Sequence, residues 1–424
     1  MLPDRKITGI VEKGLRYATY LFLLYVLTGI KKGGEMRLFI PYITALFLIV
    51  YLAVRKDYSV LRSFLFISLA GYVVVSYCLV FYSFAPMVSL EALDREVLPG
   101  LVLFAALHVQ SDSQEKLKGL LRVCVAALVL LVAGGYGTYI RLNWDEEGFK
   151  PLLPNIAFLK FKLHHNVYAM KVNFLLPFAC AFSMFLRTKR GKYVLWCIIA
   201  LAAVAVILSL SRGGWLSLFA TFGAYSLYLS RGRMKLPRAV AAVVLVLGVS
   251  CAIAWFAFPT VRERILGTSL EQLRTVTYRT EIWQHSLSAV KESPVVGWGY
   301  GDRIVWHGVP ATTDDTGEET VPEIFRIGTH NTVLFVLFHQ GIVGLAFYLL
   351  FIVAGSMQLA RVLLRDKDRP RSILAFSLLV VFLCVYILHS VIETLPFVFP
   401  CIVFGILSGM RQGMDREQAP TCLS

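Results

Sequence analysis

The stretch Arg326–Leu345 reads RIGTHNTVLFVLFHQGIVGL. A His-Asn pair, His330-Asn331, opens a run with no Asp, Glu, Lys or Arg from residue 331 to residue 360. A charge-free run of that length is a membrane-spanning helix rather than a soluble core helix, because about 20 apolar residues cross the hydrocarbon layer. The rest of the chain agrees. It is 57% hydrophobic and 16% charged, with a mean hydropathy of +0.67, whereas soluble domains are about 25% charged. Similar apolar runs predict spans at 14–30, 36–54, 63–84, 97–110, 119–140, 166–186, 193–210, 214–229, 239–258, 331–360, 373–392 and 396–410. The expected fold is therefore an all-α polytopic membrane protein of about twelve helices with one large, partly helical outer loop.

Charge orients this arrangement. Twelve spans put both termini on one side. If that side is the cytoplasm, its segments are 1–16, 55–62, 110–122, 187–192, 231–238, 361–371 and the tail from Arg411. These hold 25 of the 42 Lys and Arg but only 9 of the 27 Asp and Glu. The net charge of +15 thus reads as a positive-inside signal, not as a footprint for nucleic acid, which needs basic residues gathered on a soluble face. The basic loop at Lys31, Lys32 and Arg37 falls outside and runs against the rule. Residues 1–258 then carry nine helices with short loops, 259–329 a large outer loop, 330–410 the last three helices, and 411–424 a cytoplasmic tail. The polar segment Met1–Arg16 leads straight into the first span, with no separate cleavable signal. Seven of the eight cysteines lie in apolar spans and show neither zinc spacing nor a disulfide framework.

The candidate functional residues gather on the outer face. In SLSRGGW, Arg212 sits in the turn between two spans, before Gly213 and Gly214. A guanidinium held there by the backbone can grip a phosphate with two parallel hydrogen bonds; the alternative, an interfacial arginine snorkelling beside a belt tryptophan, needs no tight glycine turn but does need a hairpin that reaches further into water. In the outer loop, YRTEIWQHSLSAVKESPVVGWGYG predicts a helix with Arg279 at its start, a stripe of Trp283, Leu287 and Val290, and an end at Pro294 and the glycines 297, 299 and 301. His330 stands at the mouth of its span, where an imidazole can take a proton. His339, nine residues on, would lie roughly 13.5 Å deeper and on the opposite face of a continuous helix. His164 and His165 open another span in the same way. The adjacent pair points to different faces, which argues against one metal ion shared with His330. The carboxylates of Asp94, Glu96, Asp145, Glu146 and Glu147 could recruit a metal, but charged outer loops are usually solvated.

Taken together, these features resemble the O-antigen ligase family of bacterial inner-membrane glycosyltransferases, within a superfamily that also holds O-antigen polymerases and pilin O-oligosaccharyltransferases. The most specific element is a His followed by Asn, nine residues, Gly, two residues and Gly: here His330, Asn331, Gly341 and Gly344. The arginines before the glycine-rich helix start and ahead of the loop helix correspond to Arg212 and Arg279. The resemblance implies a GT-C-like fold and transfer of polysaccharide from undecaprenyl diphosphate to lipid A-core at the periplasmic face. It further implies an inverting, metal-independent reaction with no cofactor, His330 as base and Arg212 and Arg279 on the diphosphate. Lys31, Lys32, Arg37, Arg262 and Arg264 are then candidates for receiving the phosphorylated acceptor. A flippase or transporter of lipid-linked glycans is the rival class. Transporters carry ionisable groups along a path at mid-membrane, and here only Lys171 and His339 lie that deep.

Overall fold

The structure, a computed structural model, describes residues 5–29, 36–144, 165–230, 270–301, 312–313, 319–320, 329–365, 369–391 and 394–418. Its helices are α1 (Arg5–Thr28), α2 (Met36–Arg55), α3 (Phe64–Leu79), α4 (Pro86–Glu96), α5 (Leu98–Val109), α6 (Gln114–Trp144), α7 (His165–Phe182), α8 (Lys189–Leu208), α9 (Arg212–Ser230), α10 (Leu270–Glu292), α11 (Thr332–Arg365), α12 (Arg369–Val380, running on through a π-helical stretch to Ser390) and α13 (Val398–Gln418). The described strands form a two-residue ladder that pairs Thr312 with Thr320 and Thr313 with Glu319. Short polar side chains start several of the helices. Ser63, Thr188, Ser211 and Asn331 each accept a backbone N–H from the first turn that follows, which satisfies a donor the helix itself cannot.

Among the described residues, six helices are long and apolar enough to cross a membrane: Phe64–Tyr82, Gln114–Gly137, His165–Phe185, Lys189–Leu208, Thr332–Leu364 and Arg371–Ser390. Large apolar side chains such as Leu21, Ile67, Val74, Leu201 and Val353 are exposed on the outside of the bundle, as they are when lipid is the solvent. This is an integral membrane protein. The expected count of twelve spans is not reproduced. Helices do occupy the expected positions in α1, α2, α5, α9 and α13, but the span expected at 239–258 lies outside the described residues. The one expected at 97–110 is a 12-residue helix with a rise of roughly 18 Å, too short for a layer about 30 Å thick. It is the second half of a helix interrupted at Val97, two residues before Pro99, whose ring cannot sit against the preceding turn.

The bundle is pulled together by close backbone approach. A Cβ on Gly405, Gly409 or Gly413 of α13 would lie 2.8, 2.2 and 2.2 Å from the carbonyl oxygens of Phe104, His108 and Asp112. Three glycines at a spacing of four thus form a smooth face on which α5 lies directly, as small residues permit in membranes. Aromatic rings fill the adjoining core, with Phe351 edge-on to Phe404 and Tyr72 against Phe397.

One end of the bundle is tied by ion pairs. Glu12 meets Arg16, Arg55 and Lys116; Asp112 meets Lys116 and Arg416; Arg416 also reaches Asp57, and Arg371 holds Glu417. Burial pushes the Glu12 carboxyl up, but its cations outweigh that and hold it below the usual carboxylate range. These residues come from the segments 1–16, 55–62, 110–122, 361–371 and 411–424 that charge assigns to one side, and the fold brings those five together. Residues 231–238 lie outside the described residues.

Candidate functional site

The expected single helix over 331–360 is corrected: α11 is broken at Gly341, whose φ is 60° and ψ −165°, a conformation essentially restricted to glycine. In an unbroken helix, Ile342 would donate to the carbonyl of Phe338 and Val343 to that of His339. Here the segment after α10 takes all four groups. Ile342 N–H donates to Pro294 O at 2.9 Å and Val343 N–H to Val295 O at 3.2 Å, while Trp298 and Gly299 donate to Phe338 O and His339 O at 3.1 and 2.8 Å. Non-helical backbone at membrane depth needs such replacement partners. Two glycines make the contact possible. A Cβ on Gly341 would lie 2.2 Å from Val295 O, and one on Gly297 would lie 2.5 Å from Gln340 N. Gly344 is closely packed too, since its Cβ would lie 2.2 Å from Gln340 Cβ, but its own φ is not positive.

This geometry yields a stability prediction. Gly341→Ala should destabilise the protein by roughly 2–6 kcal/mol, the sum of a glycine-only backbone and a main-chain overlap. Gly344→Ala should cost less, because Gly344 lacks the glycine-only backbone of Gly341 and carries only the overlap with Gln340. Thermal unfolding in detergent checks this, and equal midpoints for both variants would contradict it.

The break defines what His339 does. It is wholly buried, and its Nδ1 lies 2.6 Å from Gly299 O. A carbonyl only accepts, so Nδ1 carries the proton and the imidazole locks the inserted segment. His330 is placed differently. It precedes the helix at a φ of 48° and is partly buried. Left-handed backbone is uncommon outside glycine and clusters at functional sites. The turn is pinned from two directions. Asn331 Oδ1 accepts the Leu334 N–H at 2.9 Å and its Nδ2 donates to Val391 O at 3.3 Å. Trp283 Nε1 of α10 donates to Thr329 O at 2.9 Å.

Arg279 lies one helical turn before Trp283, on the same face of α10, and is partly buried. The helix begins at Leu270, so Arg279 is in its interior and not at its start. The expected stripe is also rotated. Ile282 and Ser286 are buried while Leu287 is 49% exposed, because α10 packs on α11. Arg212 is the first residue of α9, not part of the turn, and is exposed. The turn is made by Leu210 with a φ of 56°. Gly214 lets α9 approach α7, where its Cβ would meet that of Ala169 at 2.6 Å.

Arg212 can be placed against His330 through α12. Ser217 Oγ donates to Cys384 O, Tyr225 bonds Ser377, and Tyr228 bonds Ser372. The register is antiparallel. Five residues back from 217 and five on from 384, Arg212 comes level with about residue 389. Val391, two residues further, is bonded to Asn331. Arg212, Arg279 and His330 therefore share one end of the bundle, opposite the ion-paired end.

Beside the His330 turn is a cavity of about 400 Å³ whose lining includes Glu96, Tyr300, Thr332, Tyr348, Tyr386 and Thr394. Thr329 Oγ1 is 3.2 Å from Thr394 Oγ1, and Thr332 Oγ1 accepts the Leu395 N–H at 3.0 Å, so the turn and the cavity rim are one structure. The solvated reading of the nearby carboxylates is corrected here. Asp94 accepts the Tyr77 hydroxyl at 2.5 Å, and Glu96, on the cavity wall, accepts that of Tyr300 at 3.3 Å. Sequence reasoning missed this cavity, since its lining comes from widely separated elements. Lys31, Lys32, Arg262, Arg264, His164 and the Asp145–Glu147 group lie outside the described residues, as does the side chain of Arg37; His165 begins α7.

The fold and this arrangement define a class: a helical integral membrane protein with a broken helix, and with a histidine and two arginines at one face. Residues 197–349 match the model of the family described as O-Antigen ligase (Wzy_C), so the resemblance to that family drawn from the motif is shown, and all six motif residues fall within the match. A 110-residue stretch is 33% identical to the exopolysaccharide production protein ExoQ of Rhizobium meliloti (strain 1021), covering 24% of this chain and 23% of that protein. The chain thus matches about a quarter of the length of this curated relative.

Proposed function

We propose that the protein is a membrane glycosyltransferase that moves an O-antigen polysaccharide from undecaprenyl diphosphate to a sugar hydroxyl of lipid A-core at the periplasmic face of the inner membrane, with its termini in the cytoplasm. The carrying observation is the complete His330–Gly344 motif, with its histidine on a strained, doubly pinned turn beside a hydroxyl-lined cavity. A sugar hydroxyl is too weak an acid to attack unaided. An imidazole, ordinarily with a pKa of about 6.5, can take its proton as the oxygen bonds to the anomeric carbon. The bond from that carbon to the diphosphate breaks, and undecaprenyl diphosphate leaves. Arg212 and Arg279 stabilise the charge that grows on the leaving group. One direct attack inverts the anomeric centre and needs neither a protein nucleophile nor a metal. The cavity beside His330 suits the sugar end of the acceptor.

A second reading keeps the same donor chemistry but extends a polymer; similarity to an exopolysaccharide production protein favours it. Expression in a ligase-null strain separates the two. Lipopolysaccharide gels should show long glycan on core. Bare core, with normal membrane levels and compatible substrates, would reject the ligase, and a ladder of free polymer would establish the polymerase.

A further inference from the structure

At the end of the bundle opposite His330 is a second cavity, of about 490 Å³, with Lys56, Arg62, Arg411, His108 and Gln358 among its lining. Gln358 lies 16 residues beyond Ile342, roughly 24 Å along α11 past its break, most of the hydrocarbon thickness of a bilayer. Charge in the cavity is unbalanced. Asp57 is taken by Arg416 at 2.5 Å, and Asp415 faces Arg411 at 3.7 Å. Lys56 and Arg62 have no acidic partner among the described residues, and both are exposed.

Two mostly buried polar side chains stand on the cavity wall. His108 is 2% exposed; its Nδ1 is 2.9 Å from Ser408 Oγ, and its Nε2 has no hydrogen-bond partner. Gln358, 7% exposed, also lines the cavity. Buried polar groups are normally satisfied, and with Nδ1 accepting the Ser408 hydroxyl, His108 Nε2 carries an N–H to offer a ligand. The N-terminus of the 16-residue α3 opens on the same space through Ser63 and Phe64 and adds its positive end. Around the mouth the surface turns apolar, with Phe64 64% and Leu61 43% exposed.

We propose that this cavity binds a phosphate group, presented by the headgroup of an anionic phospholipid or by free phosphate. Lys56 and Arg62 supply the charge, His108 and Gln358 the buried donors. Basic pockets between membrane helices are suited to such headgroups. The apolar rim would lie along the acyl chains.

The test uses the full chain in neutral detergent. Phosphatidylglycerol, phosphatidylcholine and inorganic phosphate are added separately, and binding is read by native mass spectrometry and by the shift in thermal midpoint. Wild type should retain phosphatidylglycerol in preference to phosphatidylcholine, and the Lys56→Gln/Arg62→Gln variant should lose that preference by roughly tenfold. Both substitutions are on exposed side chains, so folding is preserved. Arg190→Gln/Lys192→Gln, in the basic first turn of α8, should bind as wild type. Protection by inorganic phosphate alone, lost in the same variant, would assign the site to free phosphate. Unchanged phosphatidylglycerol and phosphate binding in Lys56→Gln/Arg62→Gln would overturn the proposal, as would equal loss in the control pair.

Discussion

His330→Ala is expected to lower glycan transfer by roughly 10²–10⁴-fold, the usual contribution of a positioned general base, with donor binding retained. The variant removes a partly buried side chain from a turn that Asn331 and Trp283 hold through other atoms. Alanine is less at ease than histidine at a φ of 48°, so His330→Asn, which tolerates that backbone, is the companion that removes the base without the strain. His339→Ala is expected to act differently. It deletes the bond to Gly299 O and leaves a buried carbonyl underserved, which costs about 1–3 kcal/mol of stability and leaves the folded fraction active within about tenfold. The assay is transfer by purified protein from lipid-linked donor to lipid A-core, with and without chelator. Loss in both His330 variants, with chelator harmless, supports the base. Loss confined to His339→Ala would move the chemistry to the helix break. A chelator-sensitive wild type would bring back a metal, and with it the region around His164 and His165.

The second large effect belongs to the arginines. Arg212→Lys and Arg279→Lys keep a positive charge but replace a planar fork with a single ammonium. If both guanidiniums grip the leaving diphosphate, each variant should lose roughly 10–10³-fold in turnover while its thermal midpoint stays close to that of wild type. Stability should hold because Arg212 is exposed and Arg279 only partly buried. Two residues from distant elements acting on one diphosphate also predict that the double variant is hardly worse than the weaker single one. Near-normal turnover in both single variants would return Arg212 and Arg279 to anchoring at the membrane surface.

The site residues were legible as types in a pattern, because a histidine, two arginines and spaced glycines follow local motifs. What those residues touch was not legible. Gly341 could be seen as part of a spacing, yet its reason is the main chain of Val295, more than forty residues earlier. The glycines at 297, 299 and 301 read as the end of a loop helix; two of them seat a strand-like segment on the broken helix. Glu96 read as a solvated loop charge until Tyr300 was folded against it.

Sequence alone determined that this is a helical membrane protein and which segments share a side. The physical reason is local. In lipid the backbone must satisfy its own hydrogen bonds, and within a single segment only the helix does so, while capping side chains and basic flanks act within a few residues. The tertiary structure decided the break in α11, the face of α10 that is buried, the level of Arg212 and both cavities. Each of these depends on hydrogen bonds or close approach between segments distant in the chain. The two helix bonds lost at Gly341 are replaced only because residues 294–299 arrive there, and no local pattern encodes that arrival.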